Sequence, residues 1–328
     1  MIKKLSFLCT LCLSLLASAQ QVTNPVWGEN WPDPTVWQDE TGLYYALATN
    51  PQRMLQSNDL FHWTMSDRRP IDSASWETMR GISRHFWAPD VTSIGNQRLL
   101  YLTLYNSAED SNIGVFKQEA DGQFHFVRLL TRSSETGIDD TIDPEVITDP
   151  SSGRVWLFFG SVGGIHRIEL TSDGLNLKPG AEYIHVAGKT IKENPSRNQV
   201  FEGSYLFRRG RYWYLFVSSG NFGNHTYQLQ VGRSKKLTGT FCNREGKPMT
   251  EGYATPVISS EKNDFFYGPG HCGEIFTAAD GQQYIFYHCH TAGTRRRDSR
   301  PMMMQQIRWD KKGWPYVEGG KPARTVVP

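Results

Sequence analysis

The residues best able to do chemistry in this 328-residue chain stand in similar settings. Asp33, Asp90, Asp143, Glu202 and His271 each sit beside Gly or Pro, just ahead of a short apolar run. Their separations are 57, 53, 59 and 69 residues. A lone acid next to proline is usually a turn former, because both residue types favour loop starts. Four acids and a histidine in one recurring context are instead a candidate site. Brought together, they would raise each other's pKa, a cost that chemistry or a bound cation would explain. Separated carboxylates near aromatic side chains suit glycosidic bond cleavage. One carboxylic acid protonates the leaving oxygen, and one carboxylate activates water on the opposite face of the sugar.

The elements that must position these residues repeat with them. Residues 31–50 read WPDPTVWQDETGLYYALATN, 87–106 read WAPDVTSIGNQRLLYLTLYN, and 142–161 read IDPEVITDPSSGRVWLFFGS. Residues 201–220 read FEGSYLFRRGRYWYLFVSSG, and 269–290 read PGHCGEIFTAADGQQYIFYHCH. Each has a strand, a turn rich in Gly, and a second strand of aromatics and aliphatics. Runs such as VWLFF and YWYLFV are apolar at consecutive positions, as expected of strands buried on both faces rather than one. They are too short and too punctuated by Gly and Pro for long helices. A unit recurring at this period, with room for four strands, predicts an all-β, five-bladed β-propeller over residues 20–328 with no second domain. The first strand of each blade would line the central channel and bring the five leading residues to its mouth.

In this order the motifs resemble glycoside hydrolase family 43, most closely its endo-1,5-α-L-arabinanase branch. They are Asp33-Pro34, Trp87-Ala88-Pro89-Asp90, Ile142-Asp143-Pro144, Glu202-Gly203 and Gly268-Pro269-Gly270-His271, with VGRSKKLTGTF (231–241) and WDKKGWP (309–315) adding to the likeness. The resemblance implies an inverting enzyme acting on plant cell-wall arabinan or arabino-oligosaccharides, working as a monomer. It implies Asp33 as general base, Glu202 as general acid, and Asp143 as the acid that keeps Glu202 protonated and oriented. It implies His271 beside a water-coordinated metal, a calcium ion at the channel centre, and no organic cofactor. Asp90 carries no proton in this scheme and is read as structural. Arg300 is expected near substrate, Trp87 to stack on a sugar face, and Phe201 to contact substrate or desolvate Glu202. An exo-acting arabinofuranosidase, a β-xylosidase and a non-catalytic sugar-binding propeller are the alternatives on the same scaffold.

The remaining features bound the function. The N-terminus, MIKKLSFLCTLCLSLLASAQ, has two lysines, an apolar core and a small-residue cleavage site, which predicts a signal peptide over residues 1–19 and export to the periplasm or beyond. The apolar run is too short to span a bilayer. The formal charge of +2 falls to zero once Lys3 and Lys4 leave, which argues against nucleic acid or an anionic membrane as partner. The run TRRRDSRP (294–301) reads as a solvated loop. Of the three cysteines left, Cys272 and Cys289 could pair, but they read better as buried small hydrophobes. His288-Cys289-His290 lacks a second ligand pair for zinc.

Overall fold

The structure is a computed structural model that describes residues 22–293 and 299–327. The expected signal peptide and most of the basic run 294–301 lie outside the described residues. The chain forms five four-stranded antiparallel sheets arranged as the blades of a propeller. Blade one holds Thr35–Gln38, Tyr44–Leu47, Leu55–Ser57 and Thr64–Met65. Blade two holds His85–Ile94, Gln97–Tyr105, Ser111–Gln118 and Phe124–Arg132. Blade three holds Glu145–Thr148, Val155–Phe159, Ile165–Leu170 and Ile184–Ala187. Blade four holds Glu202–Arg209, Tyr212–Ser219, Gln228–Ser234 and Thr255–Ile258.

Blade five departs from the repeat. Its inner strand is broken into Phe266–Gly270 and Ile275–Thr277, and both pieces pair with the long strand Gln283–Thr291, which then pairs with Met302–Gln306. The N-terminal residues cover this blade. Val22–Thr23 pairs with Thr325–Val327, and the Asn24 side chain holds Met304 by both its amide groups. One helix, Ser73–Ile82, sits between blades one and two, capped by Asp72 Oδ1, which accepts the N–H groups of Ala74 and Ser75. It is short enough to escape a search for helical periodicity.

The core comes in five pieces, one at each blade interface. Tyr214, Phe216 and Leu229 of blade four meet Ile285 and Tyr287 of blade five, for example, and Trp156 and Phe158 of blade three meet Trp213 and Leu215 of blade four. This is why runs such as Val155–Phe159 are buried at every position. Cys272 and Cys289 are buried free thiols.

Polar contacts then tie each inner strand to the next. Thr35 Oγ1 accepts the Val91 N–H (3.1 Å), Asp90 Oδ2 accepts the Val146 N–H (2.8 Å), and Glu145 Oε1 accepts the Leu206 N–H (3.0 Å). Tyr205 Oη accepts the Ile275 N–H (2.9 Å), and Glu274 Oε2 accepts the Val36 N–H. The belt is closed, with one side-chain acceptor per blade. Three of the five are carboxylates, Asp90 and Glu145 buried and Glu274 half-buried; desolvation, then the charge of Asp90, pushes Glu274 up to about 8, and desolvation pushes Asp90 up to about 7.

A second belt lies nearer the mouth, where Asp33, Ala88, Asp143, Gly203 and His271 all have φ between 44° and 59°. That left-handed backbone turns each N–H towards the preceding blade. The acceptors are His288 Nδ1, Thr49 Oγ1, Thr103 Oγ1, Asp143 Oδ2 and Ser218 Oγ, at 2.7–3.0 Å. The five leading residues of the sequence reading are therefore not all equivalent. Asp33, Asp143 and His271 are, but blade two presents Ala88, and Asp90 lies two residues deeper in the first belt. Glu202 stands one residue before Gly203.

Tyr205→Phe removes the acceptor of a buried N–H while keeping the ring. It should cost about 1–3 kcal/mol in denaturant unfolding; an unchanged midpoint and slope would show that the inner belt does not hold the blades.

Candidate active site

The second belt opens into a cavity of about 350 Å³, lined by Asp33, Asp143, Glu202, His271 and Arg300 together with Thr49, Tyr105, Asp140, Ser161, Arg197, Phe222 and Tyr227, among others. Sequence reasoning anticipated the first five. Their convergence follows from the propeller, because every inner strand starts at the same rim.

Asp33 is 8% exposed and fully engaged. Thr49 Oγ1 donates to its Oδ2 (2.6 Å), and Arg300 Nη1 donates to its Oδ1 (3.2 Å). His271 Nδ1 lies 3.4 Å from the same Oδ1. Burial alone would raise the Asp33 pKa, but the Arg300 guanidinium, the nearby His271 and the Thr49 hydroxyl outweigh it, and the carboxyl is held well below the usual range. Asp33 is therefore ionised. His288 accepts the Asp33 N–H through Nδ1, and burial drives its pKa well down, so this imidazole is neutral.

Across the channel Glu202 is clamped by two hydroxyls. Tyr227 Oη donates to Oε1 (2.7 Å), and Ser161 Oγ donates to Oε2 (2.9 Å). A serine hydroxyl can accept as well as donate, so the clamp tolerates a proton on Glu202. Asp143 sits beside this group, its Oδ2 accepting the Gly203 N–H and lying 3.8 Å from His271 Nδ1. Burial, then the charges of Glu202 and Asp33, push Asp143 well above the ordinary carboxylate range. Gly203 is required here, because a β-carbon would come within 2.9 Å of His271 Nδ1. One side of the pocket thus holds a carboxylate kept ionised, and the other holds Asp143, pushed towards its protonated form, beside Glu202. Divergent pKa values of this kind separate a base from an acid.

One expected substrate contact is corrected. Phe201 is fully buried among Trp156, Phe158 and Leu215 at the blade three–four interface, away from the pocket. Successive residues of an extended chain point to opposite sides, so with Glu202 facing the pocket Phe201 must face the core. Trp87 lines the pocket and is stacked with Tyr105 (4.2 Å between centroids) and His85 (5.5 Å). Arg300 is where it was expected, its guanidinium over Phe222 at 5.3 Å.

For a metal, the acidic mouth is favourable in charge. However, no three His, Cys, Asp or Glu side chains among the described residues converge as ligands. Calcium takes six to eight oxygen ligands, so an ion near His271 would be held mostly by water.

Comparison with known proteins agrees with this geometry. The chain matches Glycosyl hydrolases family 43 over residues 22–315. It belongs to that family. As a family 43 protein it is a glycoside hydrolase on a five-bladed propeller. It is 29% identical to an extracellular exo-α-(1→5)-L-arabinofuranosidase of Cellvibrio japonicus, over 96% of this chain and 92% of that one. It is 30% identical to extracellular endo-α-(1→5)-L-arabinanase 1 of Bacillus subtilis, over 78% of this chain and 81% of that one. Among solved structures it is similar to the Cellvibrio cellulosa α-L-arabinanase complexed with arabinohexaose, with a TM-score of 0.76, 26% identity, and coverage of 88% of this chain and 96% of that one.

Residues missed from sequence include Tyr227, Ser161, Thr49 and His288. Tyr227 and Ser161 lie 25 and 41 residues from the Glu202 they hold, with no motif linking them. The Pro in Asp33-Pro34, Ala88-Pro89 and Asp143-Pro144 was the available signal for the true register of blade two.

Removing the Arg300 charge takes away what favours the Asp33 carboxylate, so Asp33 must take up a proton at higher pH. Arg300→Met should raise its titration by about 1–3 pH units, read by NMR of the ¹³C-labelled carboxyl. An unmoved titration would remove Arg300 as the cause.

Proposed function

We propose that the protein is an exported, inverting hydrolase of α-1,5-linked arabinan that cuts internal bonds. The observation that carries the mechanism is the opposed electrostatics of the pocket: Asp33 held ionised on blade one, and Asp143 on blade three, beside Glu202, pushed towards its protonated form. In this reading Asp33 takes a proton from water as it attacks the anomeric carbon. Glu202, oriented by Tyr227 and Ser161, gives its proton to the departing glycosidic oxygen. Asp143, accepting the Gly203 N–H, fixes the backbone that presents Glu202. His271 and Arg300 hold Asp33 in position.

The arabinan assignment is supported by the activities of the relatives, which include endo- and exo-acting enzymes. Exo action is the second reading, favoured by the similarity to the Cellvibrio japonicus exo-enzyme over nearly the whole chain. Export is supported by the relatives described as extracellular and by the N-terminal sequence; no described helix is long and apolar enough to cross a membrane. A monomer with no organic cofactor, and a water-held calcium ion beside His271, complete the proposal.

Glu202→Gln should lower the rate on linear arabinan by about 10²–10⁴-fold, and much less on an aryl arabinofuranoside whose leaving group needs little protonation. Asp33→Asn should cripple both. Full activity of Glu202→Gln on arabinan would sink the mechanism. In the same assay short oligosaccharides identify endo action, free arabinose identifies exo action, and loss with EDTA restored by calcium supports the metal.

A further inference from the structure

Asp140 is a pocket carboxylate that this scheme does not use. It lines the cavity and is 8% exposed, and its Oδ1 is buried with no hydrogen-bond partner. The backbone fixes its direction. The Asp140 N–H donates to the Ala108 carbonyl (2.9 Å), its own carbonyl accepts the Ile142 N–H (2.9 Å), and φ is 53°. The groups facing the carboxyl are Glu202, Asp139, Arg197, the Val162 N–H and the Tyr105 hydroxyl.

A purely local role would look different. The turn-forming Asp149 and the capping Asp72 each have both oxygens occupied by neighbouring N–H and hydroxyl groups. At Asp140, by contrast, a buried acceptor is left open at the edge of a cavity, and leaving such an oxygen unpaired is costly. Burial, then the charge of Glu202, pushes Asp140 up to about 6, which agrees with a carboxylate short of donors. An ionised carboxylate can only accept hydrogen bonds, and a sugar offers hydroxyl donors.

We propose that Asp140 is a substrate-binding residue whose Oδ1 accepts a hydroxyl of the sugar unit seated beside Glu202. This rests on the arabinan reading above. Together with Tyr105 and Arg197 it makes the polar wall of the pocket on the side of blades two and three, and it helps to choose which hydroxyl pattern fits there.

The test is arabinotriose binding by calorimetry in the Glu202→Gln background, which cannot turn the ligand over efficiently. Adding Asp140→Gly removes the acceptor at a positive-φ position without backbone strain, and affinity should fall about 10- to 100-fold. Asp140→Asn keeps an oxygen acceptor and tolerates the same backbone; it should lose less than tenfold, and it serves if the glycine variant unfolds. Affinity of a folded Gly variant within twofold of its parent would overturn the assignment while leaving the arabinan reading intact. Failure of folded Glu202→Gln itself to bind arabinotriose would sink the arabinan reading, and this inference with it.

Discussion

Everything at the mouth depends on a backbone constraint: each blade places, in or beside its inner strand, one residue in the left-handed region whose N–H is accepted by the preceding blade. Non-glycine residues rarely adopt that conformation, and here three of the five, Asp33, Asp143 and His271, line the pocket. A side chain on such a residue leaves the strand direction and enters the channel. The hydrogen bond that fixes the backbone therefore also aims Asp33, Asp143 and His271. In blade four the conformation falls to Gly203, which makes room for His271 and leaves Glu202, one residue earlier, free to reach Tyr227 and Ser161.

The two belts divide the labour by depth. The deeper one uses carboxylates to join strands, and loss of solvent there pushes Asp90, Glu145 and Glu274 above the usual carboxylate range. The upper one places charge where a ligand can reach it. There the same burial has opposite outcomes. Asp33 has Arg300, Thr49 and His271 to favour its anion, whereas Asp143 has Glu202 and Asp33 to oppose it. One pocket thus holds an ionised carboxylate and another pushed towards its protonated form.

The fold was legible because blade strands buried on both faces write themselves as unbroken aromatic and aliphatic runs, repeated five times. The broken inner strand of blade five and the helix Ser73–Ile82 were not, since neither leaves a periodic trace of sufficient length. At the site, Asp33, Asp143, Glu202, His271 and Arg300 could be found from motif order. Choosing Asp90 over Ala88 as the blade-two equivalent came from weighting side-chain chemistry above backbone register. Phe201 was misplaced because the two-residue alternation of a strand was not applied across Phe201–Glu202. Tyr227, Ser161 and Asp140 were invisible for a different reason: their importance lies in contacts made between blades, which no local pattern encodes.

The central claim is that Asp33 delivers water to the sugar face opposite Glu202, and the anomer first released reports this directly. Proton NMR of fresh product from linear arabinan should show the β-anomer of the new reducing end appearing first, with the α-anomer growing in only as mutarotation proceeds. Initial release of the α-anomer would mean retention of configuration, and would contradict the assignment of Asp33 as a base that acts through water.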